Sequence, residues 1–515
     1  MKYEDKFLHR DDPGASWSRY CGFLDLSMED FSHIQQQLLT EQIERLFHST
    51  TYKEMLPGGL PRDIDDFRRS VPLRRYADYK AYLQDETCKL MVESQYHWVH
   101  TSTSRGTFKR VPWTTRFNEL MVRDIIACLI LSSATEAGDV QVATGCRAMH
   151  LLPERPFASA EIAQGLQDRL TFQPLPPLEL SETLTFSKKL DTAVSMGLKG
   201  NVDFIVAMTS SLLRIGPTFE KVLNKTRRSP KFLFSVHPLV AWRLLNSRNR
   251  KQILPKDAWK VKGIVCWGAD STALENTIEK QWGKKPIQLY GSSEGGIMAI
   301  QDWHRGPMAL LPDSVFFEFI PEEHVSENNP KTILINEVQE GKAYELVLTQ
   351  FYGMPLARYR QGDMVKFTNF TNNANKLGVP RMQFIGRADD TLDLFGIARL
   401  NTLVVSETLN RVGLNNSEWC LMKEYESEKA ILRFYIELDN TSQLVELDKR
   451  INKALKSVDR HWAEAVFTMA YNPIRVTMVP KGAFQLVNFS RNGHEPARMN
   501  PPVSVVEELK HLCKV

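Results

Sequence analysis

Nothing in this 515-residue chain is apolar for long enough to cross a bilayer as a helix: the longest apolar run, Ile125–Leu131, falls far short of the ~20 residues required. The opening stretch, Met1–Asp12, is too charged for a secretory leader, which needs an apolar segment of at least ~7 residues. An excess of one charge is also missing. The 65 Lys and Arg residues face 61 Asp and Glu, leaving a formal net charge of +4. The short basic groups Lys225–Arg228 and Arg248–Lys251 stand in polar surroundings and make no basic face for a nucleic acid. Cysteine is sparse: Cys21, Cys88, Cys128, Cys146, Cys266, Cys420 and Cys513 are odd in number, scattered, and without a Cys-x-x-Cys pair or a nearby His. That pattern argues against a zinc site or a disulfide framework and for a reducing compartment. No internal repeat or low-complexity tract is visible, and the proline cluster Gln173–Pro177 reads as a rigid turn. The expectation is a cytoplasmic protein with neither a membrane nor a nucleic acid as partner.

What is present is enough chain for about three domain-sized units, or for one large layered domain and a small one. Ser27-Met-Glu-Asp30 predicts a helix start of the capping-box kind, followed by a stripe at Phe31, Ile34, Leu38 and Leu46, and the first hundred residues read as mainly helical. Val202–Met208 and Gly263–Gly268 are β-branched runs that end in small polar residues, as buried strands do when they deliver loops to a site. Phe316–Ile320 and Tyr344–Thr349 are rich in strand formers. After Asp390 the pattern changes: Ile431–Leu438 predicts a strand, Leu444, Leu447, Ile451, Leu455 and Val458 a helical stripe, and Ile474–Met478 a second strand. Ligands in open α/β sheets gather where loops leave the carboxyl ends of strands.

Three turn-like blocks follow one another in order: Tyr290-Gly-Ser-Ser-Glu-Gly-Gly296, Arg358-Tyr-Arg-Gln-Gly-Asp363 and Gly386-Arg-Ala-Asp-Asp390. Each is commonplace alone. Together they resemble the core motifs of the acyl-adenylate-forming superfamily, which reads Y-G-x-[ST]-E, then R-x-G-D, then G-R-x-D. Within it, Val315–Pro321 and Tyr344–Thr349, running into Ala357–Asp363, resemble the acyl-acid amido synthetases first known from plant auxin-responsive genes, which conjugate carboxylic acids to amino acids. Gly386–Gly396 is similar to phenylacetate-CoA ligases. The resemblance implies an α/β fold: a large mixed α/β N-terminal adenylation domain over residues 1–388, and a small mobile α/β C-terminal domain over 389–515 that swings about Asp389.

The same resemblance assigns the chemistry. A carboxylate attacks the α-phosphorus of ATP, so the site must hold a triphosphate, offset developing charge and align the attacking oxygen. The family's hydroxyl-rich phosphate loop ending in Lys corresponds to Thr101–Lys109, with Thr101, Ser102, Ser104, Gly106 and Lys109 in place and Thr103 where the family has Gly. A hydroxyl-rich stretch is by itself more often a solvated loop; its position ahead of the other blocks favours phosphate. The resemblance gives Tyr290 to adenine and Glu294 to Mg2+, brings Ser292 and Ser293 close to phosphate, and counts Gly291 among the nucleotide-binding residues. It sets Gly268, Ala269 and Asp270 beside adenine and the acyl chain, Asp363 on both ribose hydroxyls, and Arg387 on ribose or phosphate. Lys109, Glu294 and Arg387 are the candidate catalytic residues. ATP and Mg2+ are the implied cofactors, and a small carboxylic acid with an amino acid the implied substrates. Two readings stay open beside amide formation: thioester formation with CoA or a carrier protein, and a nucleotide-binding homologue without turnover, motivated by Thr103 and by Arg498 where a late Lys is usual. His237 in Ser235–Pro238 reads as structural. The apolar residues from Val202 to Leu213 serve equally as acyl pocket or as core.

Overall fold

The computed structural model describes residues 2–513 apart from 9–11, 56–57, 84–87, 101–109, 228–235, 248–251, 268–270, 326, 328, 369–377, 388–391, 395–397, 416, 427–428, 439–443, 460–461, 464–465, 467–470, 490–497, 500 and 502. The described residues fall into two compact units. The larger takes in residues 1–101, 110–361 and 365–384; the smaller takes in 362–364 and 385–515. The fold is mixed α/β, as the motifs imply.

The larger unit opens with helices, Pro13–Cys21, Met28–Leu46, Thr50–Met55, Ile64–Ser70 and Tyr76–Leu83, before its first strands β1 (Tyr96–His100) and β2 (Arg110–Thr114), an antiparallel pair. The next strands are β3 (Arg147–His150), β4 (Gln173–Leu175), β5 (Phe204–Met208), β6 (Gly263–Trp267), β7 (Ile287–Ser292), β8 (Gly296–Ile300) and β9 (Met308–Leu310). They are followed by β10 (Val315–Pro321), β11 (Ala343–Gln350), β12 (Tyr359–Thr368) and β13 (Arg381–Arg387). Among the described residues, β3 to β13 form one sheet in the order β10-β11-β12-β13-β9-β8-β7-β6-β5-β3-β4. Its β4-β3-β5-β6-β7 half is parallel, and β5 and β6 are almost wholly buried, which explains their unbroken apolar runs. Val202, Ile205, Ala207 and Leu212 are accordingly core, packed with Trp259 and Trp282, while Phe204 and Val206 pack on the other face of the sheet with Ile125–Leu131.

The Ile125–Leu131 run belongs to the helix Thr115–Ser133, which is buried around nearly its whole circumference between β6, β7 and β8 and the helices Pro13–Cys21 and Ala158–Arg169. Its one buried acid, Asp124, shares a single guanidinium with Asp313. Arg123 donates to Asp124 Oδ1 from Nε and Nη2 at 3.0 and 2.7 Å, and to Asp313 from Nη1 and Nη2 at 2.6 and 3.0 Å. With one cation for two carboxylates, the more buried acid keeps its proton: burial pushes the Asp124 pKa up to about 7, against the opposing pull of Arg123 and with the Asp313 charge adding to the rise. The folded chain therefore binds more protons than the unfolded chain between pH ~4 and ~7, so this group's contribution to stability falls as pH rises through that window. Asp124→Asn is expected to flatten the decline. Urea midpoints of both proteins at pH 5 and pH 8 check this; an equal decline in the two would contradict it.

Ser27 begins the Met28–Leu46 helix with the expected capping box, its Oγ accepting from Asp30 N at 3.0 Å. The buried face is turned slightly from the apolar stripe. Phe31 and Leu46 are buried, Ile34 and Leu38 only partly, and two glutamines take their place. Gln35 donates to Val315 O at 2.8 Å and accepts from Phe317 N at 2.9 Å, meeting backbone groups on the outer edge of β10; Gln42 does the same for Met354 O and Gly353 N. Their amides satisfy backbone that would otherwise be buried unpaired, so polarity wins over apolar periodicity at these two positions.

The Gln173–Pro177 cluster is not merely a turn. Gln173–Leu175 is β4, at the edge of the sheet, where Pro174 is tolerated because its missing N–H faces no partner strand.

The smaller unit carries β14 (Leu392–Leu394) paired with β15 (Ala398–Leu400), and a sheet of β16 (Trp419–Glu426), β17 (Lys429–Glu437) and β18 (Ile474–Val479). The helix Leu447–Val458 buries Leu447, Ile451 and Leu455, the core of the expected stripe. Among the described residues, no helix of either unit is long and apolar enough to cross a membrane.

Candidate nucleotide site

Tyr290–Gly296 is the tight connection between antiparallel β7 and β8, with an irregular register at Tyr290/Gly291. Two of its glycines are sterically required. A Cβ on Gly291 would come within 2.5 Å of Gly296 O, and Gly296 has φ +65° with Met121 and Phe117 against it. Side chains from three other places then fix the connection.

From the β1–β2 pair, Trp113 Nε1 donates to Ser293 O at 2.7 Å, and Ser293 Oγ donates to His100 O at 3.2 Å. From β11, Gln350 Nε2 donates to Glu294 O at 2.6 Å. From β12, Gln361 accepts from Ser292 Oγ at 2.9 Å and donates to the Tyr290 hydroxyl, while Tyr359 OH donates to Glu294 Oε1 at 3.0 Å. Ser292 Oγ accepts in turn from Gly295 N at 3.0 Å. Tyr290 lies stacked on Phe384 of β13, ring centroids 5.7 Å apart. Glu294 is a buried carboxylate with 6% exposure.

The Arg358–Gln361 strand is itself held rigidly. Arg358 has φ +46°, a left-handed backbone that costs roughly 1–2 kcal/mol for a residue with a Cβ. Its guanidinium donates to both oxygens of Glu318 on β10, at 3.0–3.2 Å, to Thr332 Oγ1 at 3.0 Å and to Val71 O at 2.7 Å. Two residues on, Arg360 pairs in the same way with Glu345 on β11, at 2.5 and 3.0 Å. Arg74 bonds the backbone on both sides of Tyr359, its N donating to Arg358 O at 3.0 Å and its O accepting from Arg360 N at 2.8 Å. The arginines of this block therefore brace the sheet, and the residues between and after them, Tyr359 and Gln361, reach the β7–β8 connection.

The segment expected to be the phosphate loop, Thr101–Lys109 with Thr101, Ser102, Ser104, Gly106 and Lys109, lies outside the described residues, as do Gly268, Ala269, Asp270 and Asp389. The two stems of the first segment do not. His100 and Arg110 are register partners, the His100 carbonyl is held by Ser293, and Arg110 N donates to the Tyr76 hydroxyl at 3.0 Å. Burial raises the Tyr76 pKa, and the nearby Glu294 charge raises it further. Burial first, then the Arg110 charge, lowers that of His100. His100 and Arg110, the described residues that flank 101–109, are thus tied to Ser293 and to Tyr76 respectively. Residues 268–270 follow β6, the parallel neighbour of β7.

Asp363 is buried on β12, and Arg387 ends β13 with its side chain outside the described residues. His237 caps the helix Pro238–Asn246 through Nδ1, which accepts from Leu239 N. Arg498 donates to Glu418 at 2.9 Å and lies over Trp419. Sequence reasoning missed Tyr359, Gln361, Gln350 and Trp113. A usable signal existed for the brace alone, because Glu318 and Glu345 each interrupt an apolar strand and a buried acid requires a cation.

Comparison with known proteins bears out the resemblance. Residues 21–150 match the GH3 family N-terminal domain and residues 308–387 the GH3 family central domain. The Tyr290–Gly296 connection falls between them. The chain is 41% identical to a jasmonoyl–L-amino acid synthetase, JAR4, of Nicotiana attenuata over 110 residues, 20% of this chain and 18% of that protein. It is 25% identical to a GH3 domain-containing protein of Mus musculus over 245 residues, 44% of each. It spans less than half the length of these curated relatives. Solved structures extend over the whole: the acyl acid amido synthetase AtGH3.15 in complex with 2,4-DB covers 98% of this chain and 97% of its own, at a TM-score of 0.73 and 19% identity. A 2-hydroxyisobutyryl-CoA ligase in the postadenylation state covers 100% and 98%, at 0.63 and 14%. At these identities the likeness is one of fold.

Proposed function

We propose that the chain is an ATP-dependent acyl-acid amido synthetase, which activates a small carboxylic acid as its acyl adenylate and passes the acyl group to the amine of an amino acid. The observation that supports this best is convergence. Blocks far apart in sequence, the stems of 101–109, the Tyr290–Gly296 connection and the Arg358–Gln361 strand, bond to one another at a single place in the larger unit. A surface turn has no use for four buried side chains that fix it.

In the first step a carboxylate oxygen bonds to the α-phosphorus and the bond to the bridging oxygen breaks, releasing pyrophosphate. In the second, the amine nitrogen bonds to the acyl carbon, the acyl–phosphate bond breaks, AMP leaves and the amine loses a proton to solvent. In this reading Tyr290, stacked on Phe384, is the aromatic ring that takes adenine. Asp363 takes the ribose hydroxyls, an acceptor task suited to an ionised carboxylate. Ser292 and Ser293 with Thr101, Ser102, Ser104, Gly106 and Lys109 take the phosphates, Arg387 the ribose or phosphate, and Gly268–Asp270 the space beside adenine and the acyl chain. Residues 1–388 act as the adenylation domain and 389–515 as the small domain.

Mg2+ is commonly held by one or two carboxylates together with substrate phosphates and retained waters, and a single buried carboxylate beside the expected phosphate-binding residues is a donor set of that kind. Glu294 is the carboxylate in place; bound there, the ion would neutralise charge on the phosphates. All seven cysteines are free thiols, in keeping with a cytoplasmic setting. The likeness to the 2-hydroxyisobutyryl-CoA ligase favours thioester formation as the second reading, though at a lower TM-score than that of the amido synthetase.

Mass spectrometry of products formed from Mg-ATP, a panel of aryl and alkyl acids, and either pooled amino acids or CoA tests the proposal. An acyl-amino acid is expected. Acyl-CoA in its place would overturn amide formation in favour of the second reading.

A further inference from the structure

We infer that Tyr359 is a positioning residue for the cation: its phenol fixes the carboxylate plane of Glu294 so that Glu294 meets a divalent ion in one orientation. The inference rests on the reading of Glu294 as the carboxylate that holds Mg2+.

The geometry supports a rigid donor rather than a passing contact. Tyr359 is 1% exposed and Glu294 is 6% exposed, and the phenol donates to Oε1 at 3.0 Å. Tyr359 packs edge-on against Tyr79, whose hydroxyl donates to Ala357 O at 2.8 Å and accepts from Ala357 N at 3.1 Å. On the next residue the strained Arg358 backbone is held by the buried Glu318 pair, and Arg74 bonds the main chain on both sides. Separate contacts thus hold the ring, its hydroxyl and the main chain on both sides. The left-handed Arg358 backbone, held against its cost by the buried Glu318 pair, fixes the main chain from which Tyr359 reaches the Glu294 carboxylate.

The chemistry demands such a donor. A small cation with strict octahedral geometry gains from a ligand whose angle is set in advance, and outer partners that hydrogen-bond a ligating carboxylate typically contribute 10- to 100-fold in metal affinity. Tyr359→Phe keeps the ring and its packing and removes the hydroxyl alone.

The test uses Mn2+ as the probe, titrated by electron paramagnetic resonance into the full chain with a non-hydrolysable α,β-methylene ATP analogue. Metal-free affinity for the analogue is measured in parallel. Glu294→Gln is expected to lose the tight Mn2+ site, and Tyr359→Phe to weaken it about 10- to 100-fold with metal-free nucleotide affinity unchanged. Tyr344→Phe, which removes another buried hydroxyl, one that accepts from Gln339 N at 2.9 Å, is expected to leave Mn2+ binding intact. If Glu294→Gln loses the site and Tyr359→Phe does not, the positioning role is overturned and the Glu294 assignment stands. If Glu294→Gln leaves Mn2+ binding untouched, the assignment itself fails and the inference with it. Equal losses in Tyr359→Phe and Tyr344→Phe would also overturn it, because softening of the core would then suffice.

Discussion

Glu294→Gln is expected to slow acid-dependent pyrophosphate release about 100- to 1,000-fold, the range found when one preorganised group that stabilises developing charge is removed. The substitution is nearly isosteric. The backbone carbonyl still accepts from Gln350, and an amide oxygen can still accept from Tyr359, so the connection keeps its shape. What is lost is a full negative charge in a buried place, where a cation has little water to screen it. Asp363→Ala supplies the contrast. A ribose contact is made in the ground state and the transition state alike, so its loss is expected chiefly in KM for ATP. Initial rates over a matrix of ATP and Mg2+ concentrations separate the two. Unchanged pyrophosphate release in Glu294→Gln, or an unchanged KM for ATP in Asp363→Ala, would sink the site assignment.

The second large effect concerns stability. Arg358→Met is expected to destabilise the larger unit by about 3–5 kcal/mol, because it leaves Glu318 charged and buried without its partner. Glu318 is 0% exposed and is otherwise reached by Thr332 Oγ1 at 2.6 Å and, more distantly, by Arg68 Nε at 3.6 Å, beyond hydrogen-bond length and no substitute for the bidentate guanidinium. The carbonyls of Arg68 and Val71 lose a donor as well. Surface ion pairs contribute little, but this pair is enclosed, bidentate and anchored on two sides, so screening by water does not apply. The double variant Glu318→Gln, Arg358→Met is expected to recover part of the loss, since no charge is then stranded. Urea unfolding followed by tryptophan fluorescence reads both; a loss below about 1 kcal/mol in the single variant would show that water reaches Glu318.

How much of this was legible depends on what each residue answers to. Tyr290, Glu294 and Asp363 were legible because they fall in the ordered blocks Tyr290–Gly296 and Arg358–Asp363, which resemble motifs of a known superfamily. β5, β6, β10 and β11 were legible from apolar strand-forming runs, and the Met28–Leu46 helix from Ser27 and Asp30, whose capping box is local. Gln35 and Gln42 were not, because they answer to Val315, Phe317, Gly353 and Met354, some three hundred residues away. Tyr359 and Gln361 were hidden within a block whose arginines drew the eye. Pro174 misled because proline usually ends structure, and only the finished sheet shows that β4 lies at an edge.

Acid-dependent exchange of labelled pyrophosphate into ATP tests the site most directly, since it needs the first step alone and no knowledge of the acceptor. The predicted result is exchange that appears when an acid of the right class is added, proceeds without any amine or CoA, and collapses in Glu294→Gln. Binding of the ATP analogue with no exchange for any acid in a broad panel would contradict it, and would mark the chain as a nucleotide-binding homologue without turnover.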